Sequence, residues 1–469
     1  MIAGLAVVVL VGFLFLRLKD KVLLSYLLMM QCFNLMPSEL FGQYVWDYGA
    51  ILMLVIGGLV LLQRPKIPIV NHGYLVALKV FLAWLFICFF WSLVIYQYPL
   101  LDTIKAARYM VVGYSITLIF IRVFSVQPGV LEYLMKWFYW LSFLVMPIFV
   151  LQYLLHQTLL FVKAIEYEGA LRAIPVFLPF CLLNFWIILV RVLSSVKLRM
   201  HEWVYAALTL VVVALTYTRG IYIAVFITSG ALLWTMVRDG TLKSGSAFKV
   251  LGVGVLLISL LAAVGGGTKV LGRIASGVQA LGSGDSSHAS KYDDTITGRL
   301  GLARERFSLS WEKNPLLGYG FIHEDGVPPE LRRSLKYGTP LGGTAADPTL
   351  FERTASDGHY TLGLYSADIA WADIVIASGA VGVSMLVVLL LTLVIGHRRL
   401  RGEHPMGYAV RTSLLLQLVT TTILTFDGDL LFGSAYIPAF MMAAYSLTSE
   451  MREGSAPRIV AARPPNLLP

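Results

Sequence analysis

Charged residues are scarce in this sequence, and their scarcity excludes an ordinary soluble protein. Only 14% of the 469 residues are Asp, Glu, Lys or Arg, whereas 58% are hydrophobic. Soluble domains carry about a quarter charged residues. We therefore expect an all-α polytopic protein that crosses a membrane many times.

Cysteine is also scarce, and its placement excludes a disulfide scaffold. Cys32, Cys88 and Cys181 each lie inside an apolar run, where a thiol acts as a small buried hydrophobe. No His, Asp or Glu spacing matches a metal motif, so no metal and no cofactor are expected. Because no polar segment interleaves basic residues with aromatics, the net charge of +10 does not predict a nucleic-acid partner.

What the sequence has in abundance is apolar runs that approach the ~20 residues needed to cross a bilayer. About twelve or thirteen transmembrane helices are predicted. The first run lacks the basic start and the cleavage site of a signal peptide, so we interpret it as an uncleaved helix. The predicted spans are 2–17, 21–37, 47–63, 74–96, 108–124, 130–155, 171–193, 202–217, 219–237, 247–265, 369–395, 407–425 and 430–448.

Short basic loops predict the orientation, because Lys and Arg collect on the cytoplasmic side. Arg64 with Lys66, the stretch from Arg191 to Arg199, and the stretch from His397 to His404 alternate with loops poor in Lys and Arg. This places one large polar loop outside and the C-terminus in the cytoplasm. The predicted parts are N-terminal transmembrane helices 1–265, a large periplasmic loop 266–367, C-terminal transmembrane helices 368–450 and a disordered tail 451–469.

Part of the large loop has helical periodicity. Ala303, Phe307 and Trp311 recur at helical spacing between Gly298 and Lys313. Thr295 or Thr297 would cap the start of this helix, and Pro315 would end it. We expect an amphipathic helix that lies on the membrane surface or on the helix bundle.

Four arginines are candidates for binding a diphosphate, because the planar guanidinium donates to two oxygens at once. Arg219 lies between two apolar runs, where a charge suggests function, although an arginine that snorkels to the interface is the alternative. Arg299 opens the loop helix. Arg304 and Arg306 follow it, with a solvated face or contact with lipid phosphates as their alternative.

Two residues are candidates for taking a proton. Asp368 precedes an apolar helix and would serve as a general base, or only as a helix cap worth about 1 kcal/mol. His359, beside Asp357 and Tyr360, is the second candidate, since histidine titrates near neutral pH. The titratable cluster from His323 to Asp325 lies in the same loop. Loop histidines are often merely solvated.

Several motifs resemble the O-antigen ligase and O-antigen polymerase superfamily over about Tyr217 to Met385. They are Thr218-Arg219-Gly220, Thr297-Gly298-Arg299-Leu300, Trp311, Asn314-Pro315-Leu316-Leu317-Gly318-Tyr319-Gly320, Asp368-Ile369-Ala370-Trp371 and Ile376-Ala377-Ser378-Gly379-Ala380-Val381-Gly382.

The resemblance implies a metal-independent membrane glycosyltransferase of the GT-C type in the bacterial inner membrane. Its donor would be an undecaprenyl diphosphate-linked oligosaccharide, bound through Arg219 and Arg299. Family members place a histidine base where this sequence has Asp368. That departure favours the polymerases of exopolysaccharide or O-antigen over the ligases of lipopolysaccharide biosynthesis, and His359 is the substitute base.

Expected partners are an acceptor glycan or glycolipid, membrane lipid, and a chain-length regulator or flippase. Three alternatives stay open at this point. An O-antigen ligase would transfer a finished glycan to lipid A core, a transporter would move the lipid-linked glycan, and an assembly subunit would have no catalytic role. Transporters often contain helices broken near the bilayer midplane, whereas the charge here is concentrated at the outer boundary.

Overall fold

The structure is a computed structural model, and helices dominate the part of the chain that it describes. The described residues are 12–40, 43–66, 72–127, 129–155, 157–162, 164–167, 170–173, 175–194, 197–216, 219–238, 293–335, 340–341, 361–365 and 370–399. The helices are α1 Leu18–Met29, α2 Gln31–Asn34, α3 Val45–Leu61, α4 His72–Val94, α5 Leu100–Ala107, α6 Gly113–Val126, α7 Val130–Leu155, α8 Leu178–Leu193, α9 Met200–Leu215, α10 Arg219–Arg238, α11 Asp293–Lys313, α12 Pro329–Ser334 and α13 Ala370–Arg399.

Three short antiparallel hairpins join some of these helices. Their strands are β1 Glu39–Leu40 with β2 Gln43–Tyr44, β3 Ala164–Tyr167 with β4 Ala170–Ala173, and β5 Pro340–Leu341 with β6 Thr361–Leu362. The register of the last hairpin pairs Pro340 with Leu362 and Leu341 with Thr361. It therefore fixes the end of the polar segment shortly before α13 begins.

Several of the described helices have the length and composition of membrane spans. The stretches His72–Val94, Val130–Leu155 and Ala372–Thr392 each meet both criteria. Leu100–Ala107 and Met110–Val126 form a fourth span if the pair, bent by 53°, is counted together. The protein is thus a helical membrane protein, as the composition predicts.

Some predicted spans differ from the observed helices for local reasons. The span predicted for 171–193 begins only at Leu178, because Ala170–Ala173 pairs as a strand and Pro175 follows. The span predicted for 21–37 ends at Met29, where Gln31–Asn34 turns with positive φ angles. The span predicted for 108–124 starts with a π-helical turn, Arg108–Val112, at the bend.

Of the three apolar cores in the described part of the chain, two hold most of its helices together. The first lies among α1, α3 and α6 to α9, where the ring of Phe138 is 4.9 Å from Tyr26 and 4.7 Å from Phe180. The second lies among α4 to α6 and α13, where Phe81 meets Tyr114 edge to face at 4.9 Å. Burial of such large rings is a main source of packing energy.

Most of the remaining predictions about the membrane-spanning part concern residues outside those that the structure describes. Most of span 2–17, spans 247–265, 407–425 and 430–448, and the tail from 451 lie outside the described residues. The total of twelve or thirteen spans, the four-part division of the chain and the periplasmic side of the loop therefore stay predictions.

Candidate functional site

Helix α11 is the centre of the candidate site. It spans Asp293–Lys313, so the predicted helix is confirmed, but it begins before Thr295 and Thr297 and neither residue caps it. It ends before Pro315, as expected, because proline cannot donate the next backbone hydrogen bond.

The face of α11 that packs against α13 is not the one that carries Phe307 and Trp311. Leu302, Arg306 and Ser310 are buried there, whereas the side chains of Phe307 and Trp311 are 42% and 67% exposed. Of the two expected placements, on the membrane surface or on the helix bundle, the structure shows the second, and the packed face contains Arg306 and Ser310. The two aromatic side chains lie on the exposed side of α11.

Arg306 is the most constrained charged residue described in this region. Its side chain is 0% exposed, its Nε donates to the Leu364 carbonyl at 2.7 Å, and a terminal nitrogen donates to the Gly363 carbonyl at 3.0 Å. The other terminal nitrogen pairs with Glu305 at 2.5 Å. These bonds attach α11 to the segment that leads toward α13.

Acidic groups surround Arg306 and keep it charged. Burial lowers the pKa of its guanidinium, and the negative charges of Glu305, Asp373 and Glu324 oppose that shift. Asp373, in the first turn of α13, is only 8% exposed. A buried arginine held among carboxylates is costly to leave unpaired, so this cluster fixes the position of α11 tightly.

Glu324 extends the same cluster to the end of the polar segment. One carboxylate oxygen accepts from the Tyr365 backbone nitrogen at 2.8 Å, and the carboxylate lies 4.0 Å from Arg332. Burial, with the charges of Asp373 and Glu324, raises the pKa of the Tyr365 phenol well above its usual value. Tyr365 therefore stays protonated at any physiological pH.

The segment from Asn314 to Gly320 is the second component of the site, and it fits into a break in α13. Gly379 has φ 63° and ψ −167°, a conformation that essentially only glycine adopts. Its Cα faces the loop so closely that an added Cβ would lie 2.7 Å from the Leu317 nitrogen. Gly318, at φ 65°, faces the helix in return, and its Cβ would lie 2.6 Å from the Val375 oxygen.

Hydrogen bonds between the loop and α13 replace those that the break removes. Tyr319 N donates to the Ile376 carbonyl at 2.8 Å, and Ala380 N donates to the Pro315 carbonyl at 2.9 Å. Broken helices at membrane depth persist only where other protein groups satisfy the freed backbone. The motif is thus a structural clamp between the polar segment and α13.

Two side chains complete this clamp. Ser310 Oγ on α11 donates to the Val375 carbonyl at 2.9 Å. Trp84 Nε1 on α4 donates to the Ser378 carbonyl at 3.1 Å. Helices α4, α11 and α13 are consequently held as one unit around Gly379.

The predicted site residues are described to different extents. Arg219 is the first residue of α10 and Arg299 lies in α11, but in both the description covers only the backbone. Arg304 and Arg306 are two residues apart on α11, the former exposed and the latter buried. Asp368 and His359 lie outside the described residues. Within the part of the chain that the structure describes, no three His, Cys, Asp or Glu residues form a group suited to a metal ion.

Sequence reasoning missed Asp373 and gave the Asn314–Gly320 motif no structural role. Asp373 had a usable signal, because an acid within the apolar stretch after Asp368 is unusual in a membrane helix. The clamp had no usable signal in the sequence, because only the fold shows that Gly318 and Gly379 approach each other.

Comparison with known proteins identifies the domain that contains α11. Residues 204–353 match the family model described as O-antigen ligase. No curated protein matches the chain. The match includes Arg219, Arg299, Arg304 and Arg306, and it ends before His359 and Asp368. The resemblance seen in the sequence motifs is confirmed over this region.

Proposed function

We propose, from the O-antigen ligase domain at residues 204–353 as the premise, that the protein is a membrane glycosyltransferase that polymerises lipid-linked glycan repeat units. The donor is an undecaprenyl diphosphate-linked oligosaccharide, and the product is an exopolysaccharide or O-antigen chain. The observation that carries this proposal is that all four candidate arginines lie within the matched domain, with three of them on the firmly held helix α11.

In the proposed reaction, the acceptor hydroxyl attacks the anomeric carbon and the configuration inverts. The bond from that carbon to the diphosphate oxygen breaks. Arg219 and Arg299, assisted by the exposed Arg304, bind the departing diphosphate and stabilise its charge, so no metal is needed. Asp368, or His359 in its place, accepts the hydroxyl proton.

Arg306 has a supporting role in this scheme. Its guanidinium donors already bind the Gly363 and Leu364 carbonyls and Glu305. We infer that Arg306 positions α11, and with it Arg299, rather than contacting the diphosphate itself. Arg299 lies seven residues before Arg306, about two turns along the same helix.

The proposed site faces the periplasm in the bacterial inner membrane, with the C-terminus cytoplasmic. This orientation rests on the short basic loops alone. A chain-length regulator and a flippase are the proposed partners, because a polymerase needs a supply of translocated donor and a limit on product length.

An O-antigen ligase is the second candidate function, and the description of the matched family favours it. The two candidates differ in acceptor: a growing lipid-linked glycan for the polymerase, and lipid A core for the ligase. The presence of Asp368 where family ligases have histidine favours the polymerase.

The test supplies purified, reconstituted protein with one lipid-linked repeat unit in the presence of a metal chelator. A ladder of products that differ by one repeat unit is the expected result. A requirement for added divalent metal would contradict the arginine mechanism. A single transfer to added lipid A core, without ladders, would replace the polymerase by the ligase.

A further inference from the structure

Three tyrosines and a lysine gather beside the C-terminal end of α11. Tyr96 and Tyr98 follow α4, and their ring centres are 5.6 Å apart. Tyr319 comes from the clamp motif. The Lys313 ammonium lies 5.3 Å from the centre of the Tyr96 ring and 5.9 Å from that of Tyr319. We call Tyr96, Tyr98 and Tyr319 the aromatic platform.

The backbone around the platform is held rigidly. Tyr96 donates its hydroxyl hydrogen to the Gly318 carbonyl at 2.9 Å, and Tyr98 N donates to the Ser92 carbonyl at 3.0 Å. Between the two tyrosines, Gln97 has φ 54°, a left-handed conformation that is unfavourable for a residue other than glycine. Backbone strain of this kind is concentrated at functional sites, where the surrounding structure enforces it.

The exposure and chemistry of the platform suit a sugar. All three rings are only partly buried, and Lys313 and Gln97 beside them are exposed. A ring face packs against the apolar C–H face of a pyranose, while the ammonium and the amide donate to its hydroxyl groups. Sites for small polar ligands combine aromatic walls with a few fixed polar groups in this way.

We propose that the aromatic platform with Lys313 is a saccharide subsite that binds the glycan part of the lipid-linked substrate. The proposal rests on the proposed glycosyltransferase function and adds where the sugars lie. Along α11, Lys313 is about 21 Å beyond Arg299 at 1.5 Å per residue, a distance that a short oligosaccharide can bridge.

The test compares two probes on the full-length protein in lipid nanodiscs. One probe is undecaprenyl diphosphate alone, and the other is the same lipid diphosphate carrying one repeat unit. The ratio of their dissociation constants measures the contribution of the sugars. Tyr98→Ala and Lys313→Ala should each lower the preference for the glycosylated probe by about tenfold, the equivalent of ~1.4 kcal/mol, and leave binding of the bare probe unchanged.

Matched variants separate a saccharide subsite from a simple belt of interfacial aromatics. Tyr98→Phe retains the ring and should retain the preference. Tyr133→Ala removes a second partly exposed tyrosine beside a lysine, with Lys19 at 4.6 Å from its ring centre, and should have no effect. An unchanged ratio in Tyr98→Ala and Lys313→Ala, or an equal loss in Tyr133→Ala, would overturn the proposal.

The experiment distinguishes failure of the saccharide subsite from failure of the proposed glycosyltransferase function. If Arg299→Ala weakens binding of the bare probe while the platform variants leave the ratio unchanged, only the saccharide subsite is wrong. If the wild-type protein binds neither probe, both proposals are wrong. Because Lys313 is exposed, its substitution tests the subsite without disturbing the fold.

Discussion

Replacing Arg306 with glutamine tests whether the buried cluster fixes α11. The variant loses the hydrogen bonds to the Leu364 and Gly363 carbonyls and the pair with Glu305. It also removes the positive charge that interacts with the nearby carboxylate of Asp373. Removing one partner of a buried, hydrogen-bonded ion pair typically costs about 3–5 kcal/mol, and we expect a loss of stability of that size.

The matched control is Arg304→Gln, because it removes the same side chain two residues away on the exposed side of α11. A surface substitution of this kind should change stability by less than about 0.5 kcal/mol. Unfolding of both purified variants is followed by tryptophan fluorescence, and donor turnover is measured below the unfolding temperature. Equal stability of the two variants would refute the structural role of Arg306. Under the proposed function, Arg304→Gln should instead raise KM for the donor.

Three further predictions address the clamp and the platform. Gly379→Ala should destabilise the protein by about 1–3 kcal/mol from strain at positive φ alone, and the close contact with Leu317 should add to that loss. The control Gly58→Ala, in an open helical position, should stabilise the protein slightly. Thermal unfolding that ranks the two variants the other way would refute the clamp. Trp84→Phe, which removes the donor to the Ser378 carbonyl, should cost about 1 kcal/mol in the same assay, and no change would show that the bond is dispensable. Burial raises the pKa of Tyr98 to about 12, whereas the pKa of tyrosine in the unfolded chain is about 10. The free energy of unfolding should therefore fall as pH rises from about 10 to 12. Tyr98→Phe should reduce that fall, and an unchanged pH profile would contradict the burial of Tyr98.

The sequence was sufficient to predict the class of fold and much of α11. Composition indicates a membrane protein because few charges can be accommodated in lipid, and periodicity with Pro315 identifies the helix and its end. Periodicity reports where apolar residues recur, but it does not show which face of a helix packs on protein: Arg306 is buried, whereas Phe307 is 42% exposed.

Tertiary pairings explain what the sequence could not predict. The break at Gly379 is stable only because Tyr319 and Pro315 exchange hydrogen bonds with α13, and these residues are far apart in sequence. Residue type makes Arg306 a candidate diphosphate ligand, with a solvated face or contact with lipid phosphates as the alternative. Its actual neighbours, including Asp373 and the Gly363 carbonyl, come from segments that no local pattern connects to α11. The roles of Asp368 and His359 as base stay predictions.

The central claim is that Arg219 and Arg299 bind and stabilise the diphosphate of a lipid-linked donor without metal. The most direct measurement is the rate of glycan transfer by purified Arg219→Ala and Arg299→Ala proteins in the presence of a chelator. Arg333→Ala, at an exposed position of α12 in the same polar segment, is the control. We predict that each of the first two loses at least about a hundredfold in kcat/KM, the scale of a lost transition-state contact, while Arg333→Ala retains wild-type activity. Wild-type transfer by Arg219→Ala and Arg299→Ala would contradict the account.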